Sequence, residues 1–159
     1  MKSILYIIIT FLASSIIYGQ GFEDLKKADT IYIEFKGRKN EKKDIIHAQI
    51  KSNNFIERVY NFSLFDKQKL SFQYSTFKNW EKQEANIMSE VRKVNKSFFK
   101  KNKNKIISTY LLDQFDYEEI VCEIFSQLKT IYIIDYTEKK QKEIVLYEVV
   151  LINYCPAYE

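Results

Sequence analysis

Turn-forming Gly and Pro and the zinc-binding Cys and His are scarce in this chain, whose 159 residues include 3 Gly, 1 Pro, 2 Cys and 1 His. So little Gly and Pro, beside a composition that is 46% hydrophobic and 16% aromatic, excludes the disordered and low-complexity classes and points to a compact globular protein. There is no Gly-rich loop to cradle a phosphate. One histidine and two distant cysteines make no zinc site of recognisable spacing, so neither a metal nor a cofactor is expected. No Ser-His-Asp or Cys-His signature is present, and the sequence assigns no catalytic residue.

What is present begins with a stretch that looks like an export signal. Lys2 supplies a positive start, Ile4 to Leu12 an apolar run interrupted by Thr10, and small residues follow up to Gly19. The run is shorter than the roughly 20 apolar residues a spanning helix needs, so residues 1–19 are expected to be a cleaved signal peptide and residues 20–159 a single exported domain. No cysteine lies near the cleavage region to carry a lipid anchor. That length buries one core without staples, and the net charge of +4 is mild. After cleavage no membrane span is expected, and for an exported chain nucleic acid is not the expected partner.

The abundance of Ile, Lys, Asn, Tyr and Phe resembles the usage of AT-rich bacterial genomes, and Ile17-Tyr18-Gly19-Gln20 looks like the export signals of Bacteroidota-type bacteria. Together with the region from Lys96 to Tyr154, the chain resembles small exported proteins of unknown function from such bacteria. The resemblance implies a periplasmic or secreted location and supplies no site residues. Cys122 and Cys155, in a compartment that permits disulfides, either pair across a loop of just over thirty residues or remain as a half-buried thiol and a thiol near a chain end.

Period-two alternation marks strands at Thr30 to Lys36, Ile45 to Lys51, Phe55 to Leu64, Lys69 to Phe77, Thr130 to Tyr136 and Ile144 to Asn153. The last is apolar on both faces, as a central strand is. Thr-Ile-Tyr-Ile occurs at Thr30 and again at Thr130, which shared strand propensity explains. Between Trp80 and Phe98 the apolar spacing fits a helix, with an edge strand from Val91 to Phe99 as the alternative. Ser108 or Thr109 can cap a short helix, and Asp116 a stronger one from Tyr117 to Leu128 whose apolar stripe should pack on a sheet. The expected architecture is α+β, an antiparallel sheet of about six strands with helices packed on one face.

Several features can carry chemistry. His47 is the only histidine, on an alternating strand whose pattern turns it to solvent. Glu148 interrupts an apolar strand face and Arg58 another, so the two are expected to form a buried pair. From Arg92 to Lys105 the cations Arg92, Lys93, Lys96, Lys100, Lys101, Lys103 and Lys105 occur with no acid among them, beside Phe98 and Phe99. Such a segment attracts anionic envelope polymers or an acidic protein. Asn61-Phe62-Ser63 and Asn95-Lys96-Ser97 match the N-linked sequon, and Asp29-Thr30-Ile31 looks like an O-linked acceptor. An exported, non-catalytic binding or interaction module is the leading expectation. A small hydrolase using carboxylates from Asp135, Glu148 or Glu34, and an inhibitor or immunity-type protein with one charged face, are the alternatives.

Overall fold

A computed structural model describes residues 22–50, 53–65, 67–75, 91–125, 129–140 and 143–155. The expected leader lies outside them, as do residues 80–90 of the helix expected from Trp80 to Phe98; the described remainder of that stretch is not one helix but a strand, Val91–Val94, followed by a helix, Lys96–Lys101. Among the described residues eight strands form one sheet: β1 (Thr30–Phe35), β2 (Glu41–Ile50), β3 (Asn53–Ser63), β4 (Lys69–Ser75), β5 (Val91–Val94), β6 (Ile106–Ile107), β7 (Thr130–Lys140) and β8 (Glu143–Leu151). Their order is β2-β3-β4-β8-β7-β1-β6, with β5 added along β8.

The sheet is mixed, which corrects the expectation of an antiparallel one of about six strands. β2, β3 and β4 form a meander and β7 and β8 a hairpin, all antiparallel, but β1 runs parallel to both β6 and β7. Alternation is blind to strand direction, and parallel neighbours need a long crossover that leaves no hairpin signal. The repeated tetrapeptides lie side by side in register, from Thr30 opposite Thr130 to Ile33 opposite Ile133. Tyr32 accordingly stacks on Tyr132, 5.7 Å between ring centroids. β8 is central as its two apolar faces imply, with β7 along one edge and the other edge shared by β5, through Tyr147, and β4, from Val150.

The sheet curls. β1 and β3 are four strands apart, roughly 19 Å in a flat sheet at about 4.8 Å per step, yet Phe35 on β1 meets Tyr60 on β3 edge to face at 5.1 Å and Phe62 at 5.9 Å. The face on which they meet is therefore concave. It holds the larger core, where Ile31, Ile33, Phe62 and Leu70 have no solvent exposure. The convex face carries a second cluster, in which Tyr32, Tyr132, Ile134 and Leu146 are joined by Phe98 and Phe99.

The helices divide between the two faces, a second correction. Leu25 from a helix over residues 22–27 (α1), Leu112 from α3 (Thr109–Leu112), and Ile120, Val121 and Ile124 from the π-helical segment Glu119–Ile124 fill the concave side. α2 (Lys96–Lys101) lies on the convex side through Phe98 and Phe99. Caps fix the starts: Asn95 accepts from the Ser97 amide, Ser108 from the Leu111 amide, and Glu119 reaches back to the Asp116 amide. The segment expected as an ordinary helix from Tyr117 is wound more widely from Glu119, with the Phe125 amide donating to the Ile120 carbonyl. Lys129 donates to the carbonyls of Leu25 and Lys26 at the end of α1, tying that helix to the entry of β7.

Cys122 and Cys155 form a disulfide, which ties the π-helical segment to the chain beyond β8. The two cysteines are 33 positions apart, so on the chain-entropy argument the bridge contributes about 3 to 4 kcal/mol. Reduction, or Cys122→Ser with Cys155→Ser, should lower the unfolding free energy by that amount in denaturant titrations. An unchanged midpoint would show that the bridge constrains nothing.

Candidate functional site

Where the two ends of the curled sheet face each other, an ionic clasp closes the concave side. β7 continues past Asp135 through a register irregularity that the hairpin's alternation does not announce, and this brings Glu138 beside Asp135. Lys43 on β2 donates to Asp135 at 2.7 Å and to Glu138 at 2.5 Å. Arg58 on β3 donates through Nη1 to both Glu138 oxygens at 2.9 Å. The Arg58 guanidinium lies over the Tyr147 ring, 4.3 Å from its centroid, and Tyr147 donates its hydroxyl to Glu138. Asp135, with no solvent exposure, also accepts from the Tyr60 hydroxyl at 3.0 Å and from the amide and hydroxyl of Thr137.

The electrostatics are those of a largely buried ion-pair network, in which the Arg58 Nε is left without a hydrogen-bond partner among the described residues. Burial opposes ionisation of Glu138, but hydrogen bonds from Lys43, Tyr147 and Arg58 outweigh it and hold the carboxyl down to about 2. Burial, reinforced by the Asp135 charge, pushes the Tyr60 hydroxyl well up, and burial with the Glu138 bond does the same to Tyr147. Burial works against the Arg58 charge, yet Glu138 and its neighbours more than restore it, so the guanidinium stays charged. A general acid needs the opposite arrangement, a carboxyl whose proton is retained near neutral pH.

The expected partners Arg58 and Glu148 are not brought together. Arg58 shares its strand face with Tyr60 and Phe62, on the concave side, whereas Glu148 shares the convex face with Leu146 and Ile144. Glu148 is half-buried at the point where the β8 edge passes from β5 to β4, with the Tyr132 hydroxyl 3.5 Å away. Each residue does interrupt an apolar face, but the faces belong to opposite sides of one sheet. The same parity separates the three acids considered for a hydrolase: Asp135 is concave, Glu34 and Glu148 convex.

The basic segment spans β5, α2 and a 3-10 turn, Lys103–Lys105. Arg92 lies over the Tyr132 ring at 5.2 Å and Lys93 bridges to Glu143 at 3.1 Å. Lys96, Lys100, Lys101 and Lys103 are exposed and Lys105 half-buried, none of the five within ion-pair distance of an acid among the described residues. Phe98 packs edge to face on Tyr32 at 5.0 Å and Phe99 stacks on Tyr136 at 6.3 Å, so the helix is pinned by its aromatics with its lysines outward. Beside it lies a cleft of 360 Å³ lined by Glu34, Phe99, Lys103, Ile106, Ser108 and Tyr136. Glu34 accepts from the Tyr136 hydroxyl at 3.0 Å and from Lys36 at 2.5 Å, and burial together with that carboxylate pushes the Tyr136 hydroxyl up.

Sequence reasoning missed Lys43, Glu138 and Glu41. All three lie in charged stretches that alternation reads as loop. Glu41 is buried at the start of β2, where it accepts from the Lys36 and Arg38 amides and the Thr109 hydroxyl and so fastens the β1–β2 connection to α3. Gly37 in that connection has φ 68°, and a side chain there would meet Thr137. His47 stands opposite Ile56 on the edge strand β2. The two sequon amides are engaged within the fold, Asn95 as the α2 cap and Asn61 with Asp44 and Ser71. Among the described residues no group of three His, Cys, Asp or Glu side chains is placed to hold a metal, and no helix is long and apolar enough to cross a membrane.

Comparison with family models, curated proteins and solved structures returned no match. Function is therefore argued from the side chains themselves.

The depressed carboxyl of Glu138 has a direct consequence for stability. Held at about 2 against an ordinary 4.5, it contributes fully above about pH 4.5, and the contribution is lost as the pH falls toward 2. Discounted for the solvent that still reaches it, this amounts to about 1 to 2 kcal/mol. Glu138→Gln should be less stable than the parent at pH 7, and the gap should narrow by about that amount between pH 5 and pH 2. A gap independent of pH would show a solvated Glu138.

Proposed function

We propose that the protein is an exported, non-catalytic interaction module whose convex basic surface takes an anionic polymer of the cell envelope. The observation that carries this reading is the lysine set of α2 and the turn after it. Lys96, Lys100 and Lys101 project from a short helix whose Phe98 and Phe99 are anchored in the convex core, and no acid in the segment neutralises them. Like charges concentrated this way cost self-repulsion, and an anionic partner relieves it. The acids of the concave side, by contrast, are occupied in closing the sheet, which argues against the carboxylate hydrolase.

Export is supported by the leader pattern from Lys2 to Gly19 and by the disulfide, which suits an oxidising compartment. Mass spectrometry of protein recovered outside the cytoplasm should find a chain starting at or near Gln20. An intact Met1 chain found only in membranes would refute this.

Changing Lys96, Lys100 and Lys101 together to Gln should abolish retention on a polyanionic matrix while shifting the melting temperature little, since exposed lysines contribute little to folding. Retention of the parent should vanish between 0.1 M and 1 M salt, as the screening length falls from about 10 Å to about 3 Å. Equal retention of parent and variant would remove the reading.

A further inference from the structure

The cleft beside the lysines has a chemistry more specific than positive charge. Resting on the polyanion reading above, we propose that it is a subsite for one acidic sugar, a uronic acid unit of the polymer, with the sugar's hydroxyls meeting Glu34 and its carboxylate meeting Lys103.

The lining decides the ligand class. Glu34 lies deeper, its side chain 17% exposed, while Lys103 stands exposed at the rim. A carboxylate only accepts hydrogen bonds, and each Glu34 oxygen, already taking one donor from Tyr136 or Lys36, has a second lone pair to offer. Whatever reaches it must donate. Lys36 already answers the Glu34 charge and Lys103 stands nearby, which makes a cationic ligand unfavourable there, and a compact anion such as phosphate would find no donor on Glu34 to meet its oxygens. The class that remains carries neutral hydroxyl donors on one part and a negative charge on another. Between the polar groups, Phe99, Ile106 and Tyr136 supply apolar walls for the C–H face of a sugar ring, and the Ser108 hydroxyl supplies a further polar contact.

Size and position agree with this. At 360 Å³ the cleft is near the lower end of the range for small-molecule sites, about 300 to 1,000 Å³, so it holds a short stretch of polymer and not a long one. Lys103 belongs to the same basic run as Lys96, Lys100 and Lys101, and a chain seated in the cleft can therefore continue along α2. The surface lysines then supply attraction that any polyanion feels, and the cleft supplies discrimination among polyanions.

The test is calorimetric titration of the mature chain with an oligogalacturonate, with inorganic polyphosphate and with a neutral malto-oligosaccharide, repeated on Lys103→Gln and Glu34→Gln. The parent should bind the oligogalacturonate about tenfold or more tightly than polyphosphate and should ignore the neutral sugar. Both variants should erase that preference while leaving polyphosphate binding within about twofold. Lys103 is exposed, so its variant keeps the fold even if Glu34→Gln, which disturbs the Lys36 pair, does not. Equal binding of both polyanions by the parent, or a preference that survives in Lys103→Gln, would overturn the subsite and leave the basic-surface reading intact. Failure of the parent to bind either polyanion would overturn both.

Discussion

A carboxylate with no access to water must find a cation and donors within hydrogen-bond distance, because leaving it unanswered costs several kcal/mol. Asp135 finds Lys43, Tyr60 and Thr137, and the demand extends to Glu138, which is held in turn by Lys43, Arg58 and Tyr147. These partners come from two adjacent pairs of strands, β2 with β3 and β8 with β7, set on either side of β4, so that in a flat sheet Lys43 on β2 would lie four strands from Asp135 on β7. The clasp and the curl are thus one constraint: the charges can be satisfied only if the sheet bends, and Phe35 against Tyr60 and Phe62 fills the space the bend encloses.

Once the sheet is curled, its two faces acquire different duties. The concave side is occupied by the large core, α1, α3, the π-helical segment and the clasp. The convex side carries a smaller cluster over which α2 lies, and here Lys93 and Lys36 are paired with acids while Lys96, Lys100, Lys101 and Lys103 have none within ion-pair distance among the described residues. Charge is thus balanced at the clasp and left in excess on the exposed lysines of α2 and the turn after it. An interaction surface requires that division, since a desolvated lysine would be costly and a paired one would not attract a polymer.

Six of the eight strands among the described residues were legible because alternation reports burial directly, whereas the short β5 and β6 are too brief to alternate. Ile31, Ile33 and Phe35 are buried on one face, and Leu70, Phe72 and Tyr74 follow the same rule. The parallel pairing of β1 with β7 was not, since alternation carries no direction, although the repeated Thr-Ile-Tyr-Ile was the visible trace of two strands that share a register. Arg58 and Glu148 were rightly seen as interruptions of apolar faces, but which faces meet depends on strand order and curvature. Glu138 escaped notice because a lysine-rich hairpin end reads as loop, and the irregularity that turns it inward leaves no periodic signal. The basic segment was evident from composition alone, whereas its anchoring by Phe98 and Phe99 required the fold.

The central claim is that the buried acids hold the sheet closed while binding belongs to the opposite face. Asp135→Asn, measured in parallel for unfolding free energy and for affinity toward an anionic polysaccharide, tests it most directly. The account predicts a loss of about 3 to 5 kcal/mol of stability, as for removal of one partner from a buried ion pair, with affinity unchanged at temperatures where the variant remains folded. Lost affinity at unchanged stability would contradict it, placing the function in the acids of the concave side.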